Sequence, residues 1–215
     1  MKSRFFCRLF DMLLGLSFIA FGTYMTLQAS VGVSPWCVLT TGLSRLFNTT
    51  YGNVSIALNV VILAIAIWLK ERIGLNTIFA TLLYGKIVDL YDWLNIIPVP
   101  NHLFVSYLLL IIGIFFISIG QWINMRAAFG SGPKDSLWVG VGKRFPKLSV
   151  GLINNTMLLV VFLIGWSLGG DAGIGTIVSV VVTGPIMQLV FNRVGFEPRD
   201  VRHESIFETI RSLKH

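Results

Sequence analysis

Lys86 and Asp89 are the only oppositely charged side chains that this sequence places together well inside an apolar run. Their three-residue spacing puts them on one helical face. An ionisable pair at membrane depth is a candidate ion or solute relay. The alternatives are a salt bridge that pins helix packing, or a run that ends early and leaves both at the interface. Arg126, at the end of a later apolar run, has the planar fork that binds a carboxylate or phosphate with two parallel N–H bonds; a snorkelling interfacial role is the alternative. Gln121 and Asn124 line the same stretch.

Two proline-led steps, Ser34–Pro35 and Gly132–Pro133, each open a short segment whose helix N-terminus could face a solute. Asp135 follows the second step, where solvation is the simpler role. Asn59, Asn76, Asn154, Asn155 and Gln188 complete the polar set and read first as interhelical hydrogen bonds. The residues Ser34, Pro35, Lys86, Asp89, Gln121, Asn124, Arg126, Gly132, Pro133 and Asp135 are therefore the candidate solute-binding set.

Catalytic chemistry has no such foothold. His102 falls in a loop, His203 and His215 in the tail, and no HExxH motif or phosphate-binding glycine loop occurs. No enzyme activity, cofactor or resident metal is expected. Cys7 and Cys37 make no disulfide framework and fall on opposite membrane sides in the topology below.

The elements that carry these residues are membrane spans. Hydrophobic residues make up 54% of the 215-residue chain and charged ones 13%, about half the charge of a soluble domain. Mean hydropathy is +0.77. Apolar runs at 9–29, 52–69, 73–94, 103–125, 149–168 and 173–192 approach the length that crosses a bilayer. The first run is too long for a signal-peptide core and has a twin downstream, so it is read as a span.

That twin belongs to an internal repeat. A shift of 98 residues pairs Gly15 with Gly113, Gly22 with Gly120, Gly32 with Gly130, Pro35 with Pro133 and Gly42 with Gly140. A shift of 99 then pairs Gly52 with Gly151, Gly74 with Gly173, Thr77 with Thr176 and Gly85 with Gly184. Each half, 1–95 and 96–192, reads as span, short segment, span, span. Gln28 becomes the counterpart of Arg126, and the counterparts of Lys86 and Asp89 are Pro185 and Gln188.

The short segments, 34–47 and 132–145, reach only about 20 Å as helices. If neither crosses, each half has three spans and the halves point in opposite directions. The charge bias favours this count. Six spans with a cytoplasmic N-terminus put all of the 17 basic residues inside except Arg45, placed outside, and Lys86, within a span. Eight spans would scatter them. The expected fold is thus an all-α membrane protein of six transmembrane helices in two inverted three-helix repeats.

Each short helix is amphipathic. Trp36, Leu39, Leu43, Leu46 and Phe47 oppose Thr40, Thr41, Ser44 and Arg45; Leu137, Trp138, Val141 and Phe145 oppose Lys134, Asp135 and Arg144. Ser34 is placed to cap the first helix. Two readings compete: a helix lying in the interface, or a re-entrant half-helix aimed at a solute near the midplane. The tail, 193–215, reads as a basic amphipathic helix on the inner leaflet.

The glycine frame and the segments GVSPWCVLTTGLS and GSGPKDSLWVGV resemble the bacterial YczE/YitT-like integral membrane proteins. The resemblance spans residues about 10 to 192. That family's short segment is Gly-x-Gly-Pro-x-Asp, matched by Gly130, Gly132, Pro133 and Asp135; the first half departs, with Val33 and Cys37 in place of the second Gly and the Asp. A single carboxylate is left across the two segments. The resemblance implies a multi-pass protein of the bacterial inner membrane and says little about substrate.

The leading expectation is a secondary transporter or facilitator of a small polar or anionic solute, working by alternating access between inverted repeats. The rival is a non-transporting scaffold or regulator acting through the cytoplasmic loop and basic tail. Expected partners are the lipid bilayer, a small solute, and a second copy or another membrane protein. Nucleic acid is not expected, since the excess of basic residues reports topology.

Overall fold

The computed structural model describes residues 2–69, 74–130, 132–134, 144, 150–196 and 204, without the side chains of 2–4 and 150–155. Seven helices follow in order: α1 (Lys2–Gln28), α2 (Pro35–Leu46), α3 (Tyr51–Trp68), α4 (Leu75–Leu94), α5 (Leu103–Arg126), α6 (Val150–Ser167) and α7 (Ile174–Arg193). No strand occurs among the described residues. Most of the predicted segment 132–145, with Asp135, and most of the tail lie outside them.

Among the described residues, four helical stretches are long and apolar enough to cross a membrane: Phe5–Gln28, Tyr51–Trp68, Leu103–Arg126 and Ile174–Arg193. The 20-residue α4 carries Lys86, Asp89 and Asp92 in its second half. Large apolar side chains such as Trp68, Phe104, Ile177 and Val181 face outward, as they do in a protein solvated by lipid. The chain is a helical membrane protein.

The glycines explain the centre. A Cβ on Gly15 would lie 2.7 Å from the Gly120 carbonyl oxygen, and one on Gly120 would lie 2.7 Å from that of Gly15. Gly22 and Gly113 stand in the same relation, at 2.5 and 2.8 Å. Small residues let the two backbones touch, which is how helices associate where lipid offers no hydrophobic drive. Moving forward along α1 moves backward along α5, so the two helices are antiparallel. Gly15 and Gly113 are repeat mates, as are Gly22 and Gly120; each contact is therefore the other's copy, the mark of a two-fold relation across a seam.

The loops after α1 and α5 repeat the same backbone. Ser30 and Ala128 have φ of 53° and 57°, and Gly32 and Gly130 have φ of 112° and 109°. Each loop then crosses to the other half. Val31 accepts a hydrogen bond from the Gly175 N–H at 2.8 Å, and Phe129 accepts one from the Asn76 N–H at 2.9 Å. A Cβ on Gly32 would lie 2.7 Å from the Gly173 nitrogen, and one on Gly130 would lie 2.6 Å from the Gly74 Cα. The start of each short segment is thus built onto the opposite half. The repeated Thr77 and Thr176 serve one purpose: each hydroxyl accepts from the first N–H of its helix, Gly74 at 3.3 Å and Gly173 at 3.2 Å.

Helix α2 is inside the protein. It packs on α6 and α3, so closely that a Cβ on Gly42 would lie 2.7 Å from the Gly165 carbonyl oxygen. Thr40 and Thr41, on the face expected to be polar, are buried, their hydroxyls donating to Trp36 and Val38 carbonyls at 2.9 and 3.1 Å. A threonine that hydrogen-bonds its own preceding turn needs no water. Only the last turn, from Arg45, is exposed. Arg45, the basic residue placed outside by sequence, pairs with Asp171 and the Gly169 carbonyl.

Candidate functional site

Where the second short segment begins, α1, α3, α4 and α5 leave a cavity of about 220 Å³. Its wall includes Gly130, Gly132, Pro133 and Lys134 from the segment, Tyr84 from α4, and four carboxamides: Asn59, Asn76, Gln121 and Asn124. Each amide arrives on a different constraint. Asn59 sits at the middle of the 18-residue α3. Asn76 lies in the first turn of α4, pinned by its backbone bond to Phe129. Gln121 and Asn124 lie one turn apart near the end of α5.

These amides divide into two kinds. Asn76 and Asn124 form a cyclic pair, each Nδ2 donating to the other's Oδ1 at 2.7 and 3.1 Å. Their second donors reach the carbonyls of Gly130 at 3.2 Å and Met12 at 3.1 Å. This pair is fully used in holding the segment start to the α1–α5 seam. Asn59 Oδ1 and Gln121 Oε1 are buried and have no hydrogen-bond partner. A buried acceptor without a donor costs about 1–3 kcal/mol, so two of them in one cavity point to an occupant.

A hydrogen-bond chain runs into the cavity from the first segment. Ser34 donates to Cys37 Sγ at 3.2 Å; Cys37 meets the Tyr51 hydroxyl at 3.3 Å, and Tyr51 meets Tyr84 at 3.4 Å. Tyr84 donates to Thr23 at 2.9 Å, and Thr23 to the Ile19 carbonyl at 2.9 Å. The two segment starts also meet directly, with the Lys134 ammonium 5.0 Å from the centre of the Trp36 ring. Residues 36 and 134 are repeat mates.

A second, outward-facing hollow of about 350 Å³ lies beside the first segment. Pro35 lines it as Pro133 lines the first cavity, and Leu158, the repeat mate of Asn59, lines it too; Phe162, Ile177, Val180 and Val181 make up most of the rest. None of its described lining residues is a carboxamide.

The sequence candidates separate accordingly. Gln121, Asn124, Gly132 and Pro133 line the polar cavity, and Pro35 lines the apolar one. Ser34 sits at the N-cap position of α2 without a capping bond; its hydroxyl goes to Cys37 instead. Lys86 and Asp89 are not paired with each other. Lys86 donates to Asn53 Oδ1 at 2.6 Å, while Asp89 accepts from the Gly52 N–H and the Thr50 hydroxyl, both at 2.7 Å. A carboxylate on two donors at a helix N-terminus is in its favoured electrostatic place. Arg126 forms an ion pair with Asp11 at 2.8 Å and is half-exposed, away from the cavity lining. Asp135 lies outside the described residues. Asn59, Asn76 and Tyr84 are cavity residues that the candidate set missed. Their signal was in the repeat: Asn59, Asn76 and Tyr84 align with Leu158, Gly175 and Thr183, so at these positions the two halves differ.

A family of unknown function, DUF6198, matches residues 6–192. An uncharacterized protein of Haemophilus influenzae is 27% identical over 187 residues, covering 87% of this chain and 84% of that protein. The uncharacterized membrane protein YczE of Bacillus subtilis is 27% identical over 176 residues, covering 81% and 80%. The uncharacterized protein YyaS of the same organism is 30% identical over 186 residues, covering 82% and 88%. No solved structure matches.

Proposed function

Because the chain belongs to the DUF6198 family, whose function is unknown, we propose its role from its own geometry: a secondary transporter or facilitator of a small polar solute. The observation that carries this reading is the cavity at the start of the second short segment, with Asn59 Oδ1 and Gln121 Oε1 buried and unpartnered in its wall. Buried polar groups are met by protein or by a bound small molecule, and no protein group meets these two. At about 220 Å³ it is smaller than the 300–1,000 Å³ of a drug-sized pocket, which suits a solute of a few heavy atoms.

The architecture proposed with it is six spans in two inverted three-span halves, in a bacterial inner membrane with both termini cytoplasmic. Antiparallel packing of α1 and α5 through repeat mates supports inversion. The buried first turns of α2, and the meeting of Trp36 with Lys134, support re-entrant segments whose starts converge at depth, where non-helical backbone is tolerated only inside protein or beside a cavity. Alternating access then amounts to rocking one half against the other across the glycine seam.

The test is a cavity cysteine. In a chain without Cys7 and Cys37, Ala80→Cys places a thiol in the cavity wall. In liposomes it should react with a membrane-impermeant maleimide, and a transported solute should slow the labelling. Absence of labelling from both faces, together with no solute flux, overturns transport and favours the regulatory alternative.

A further inference from the structure

We infer that the solute is a small uncharged molecule of the amide or urea class, presenting a hydrogen-bond donor and an acceptor side by side to Asn59 and Gln121. This rests on the cavity being the solute site proposed above. Each carboxamide carries an acceptor oxygen and a donor nitrogen on one planar group. Asn76 and Asn124, in the same wall, show what satisfies such a group: another carboxamide, met edge to edge. Asn59 is 3% exposed and its oxygen has no partner, nor does that of Gln121. Neither side chain makes a hydrogen bond among the described residues. An amide-class solute does for these two what Asn76 and Asn124 do for each other.

The complementarity also holds if either side chain is turned about its last bond, because donor and acceptor exchange places on both partners. Charged solutes fit less well. A bare inorganic anion brings acceptors only and leaves both buried carbonyls unmet. A cation brings donors only and leaves the amide nitrogens of Asn59 and Gln121 without an acceptor. Tyr84, the remaining hydroxyl in the wall, already donates to Thr23. An unpaired polar group left in such a site discriminates strongly against the wrong solute.

Urea, nitrate and guanidinium separate the three cases, being planar, Y-shaped and of nearly equal size while neutral, anionic and cationic. The full chain is reconstituted in liposomes for tracer flux of each, and the slowing of maleimide labelling at Ala80→Cys by each is followed, because urea and guanidinium lower thermal stability whether or not they bind a site. Saturable urea flux is expected, inhibited by excess acetamide. Replacement by the repeat counterparts, Asn59→Leu and Gln121→Thr, should raise the half-saturating concentration about three- to tenfold each. Asn59→Asp, which supplies a carboxylate, should shift preference toward guanidinium; a gain of this kind cannot come from misfolding.

Saturable flux of nitrate or guanidinium, with urea at the protein-free rate, overturns the solute class and leaves transport standing. Protection from labelling by urea that Asn59→Leu abolishes, with no flux of any probe, supports the class and overturns transport. No flux and no protection by any of the three overturns both.

Discussion

Each proline-led segment opens beside a hollow of its own, and the two hollows are unlike. The loops that deliver the segments agree within a few degrees at Gly32 and Gly130. The hollow at Pro133 is walled by four carboxamides; the described lining of the one at Pro35 is Thr176 and apolar side chains, of which Ile177 and Val181 face outward. Backbone geometry is shared where lining chemistry is not. The constraint on the loops is steric and acts on both.

A second contrast runs alongside. In the first half Gly85 is buried against Gly52, its Cβ position 2.5 Å from the Gly52 carbonyl, and Asp89 ties α4 to the start of α3. In the second half the equivalent Gly184 is exposed, and Pro185 and Gln188 replace Lys86 and Asp89. The half that contributes Asn59, Asn76 and Tyr84 is the latched one. Its charged pair works as structure.

Substitution can break these comparisons in graded steps. The largest effect is expected from Gly130→Val and Gly32→Val, which the shared frame predicts to be equally damaging. Each meets backbone on the other half and a φ unfavourable to β-branched residues. Loss of monodisperse protein on size-exclusion chromatography should result from both; tolerance of either one breaks the equivalence of the loops. Next comes Asn76→Leu, which leaves the buried Asn124 amide half-satisfied and should destabilise by about 2–3 kcal/mol, read as a fall in unfolding midpoint.

Leu158→Asn, the reverse of Asn59→Leu, sharpens the chemical contrast. It sets an amide in the apolar cavity and should cost about 1–2 kcal/mol while leaving urea flux unchanged; an equal loss of flux would mean that both cavities carry solute. The smallest change is expected from Asp89→Asn, which weakens two charge-assisted bonds for about 1 kcal/mol. Its measurable consequence is faster hydrogen exchange at the first turn of α3, with exchange in α7 unaltered.

Much of the frame was legible without coordinates, because composition and glycine spacing report local necessities. Lipid demands apolar runs and close helix approach favours glycine, so a helical membrane protein with recurring glycines can be read from residue order alone; that Gly15 meets Gly120 and Gly22 meets Gly113 cannot. Pairing is another matter. Lys86 and Asp89 share a helical face, yet Asn53 and the α3 N-terminus offer each a better partner from the neighbouring helix. Thr40 and Thr41 look solvated until α6 covers them. Among the amides, sequence cannot say that Asn76 and Asn124 satisfy each other while Asn59 and Gln121 do not, since that depends on distances between helices far apart in the chain. The sequence by itself determined a helical membrane protein with a recurring glycine pattern; the docking of each loop onto the helix start of the other half, and with it the location of an unsatisfied polar cavity, was decided only by tertiary packing.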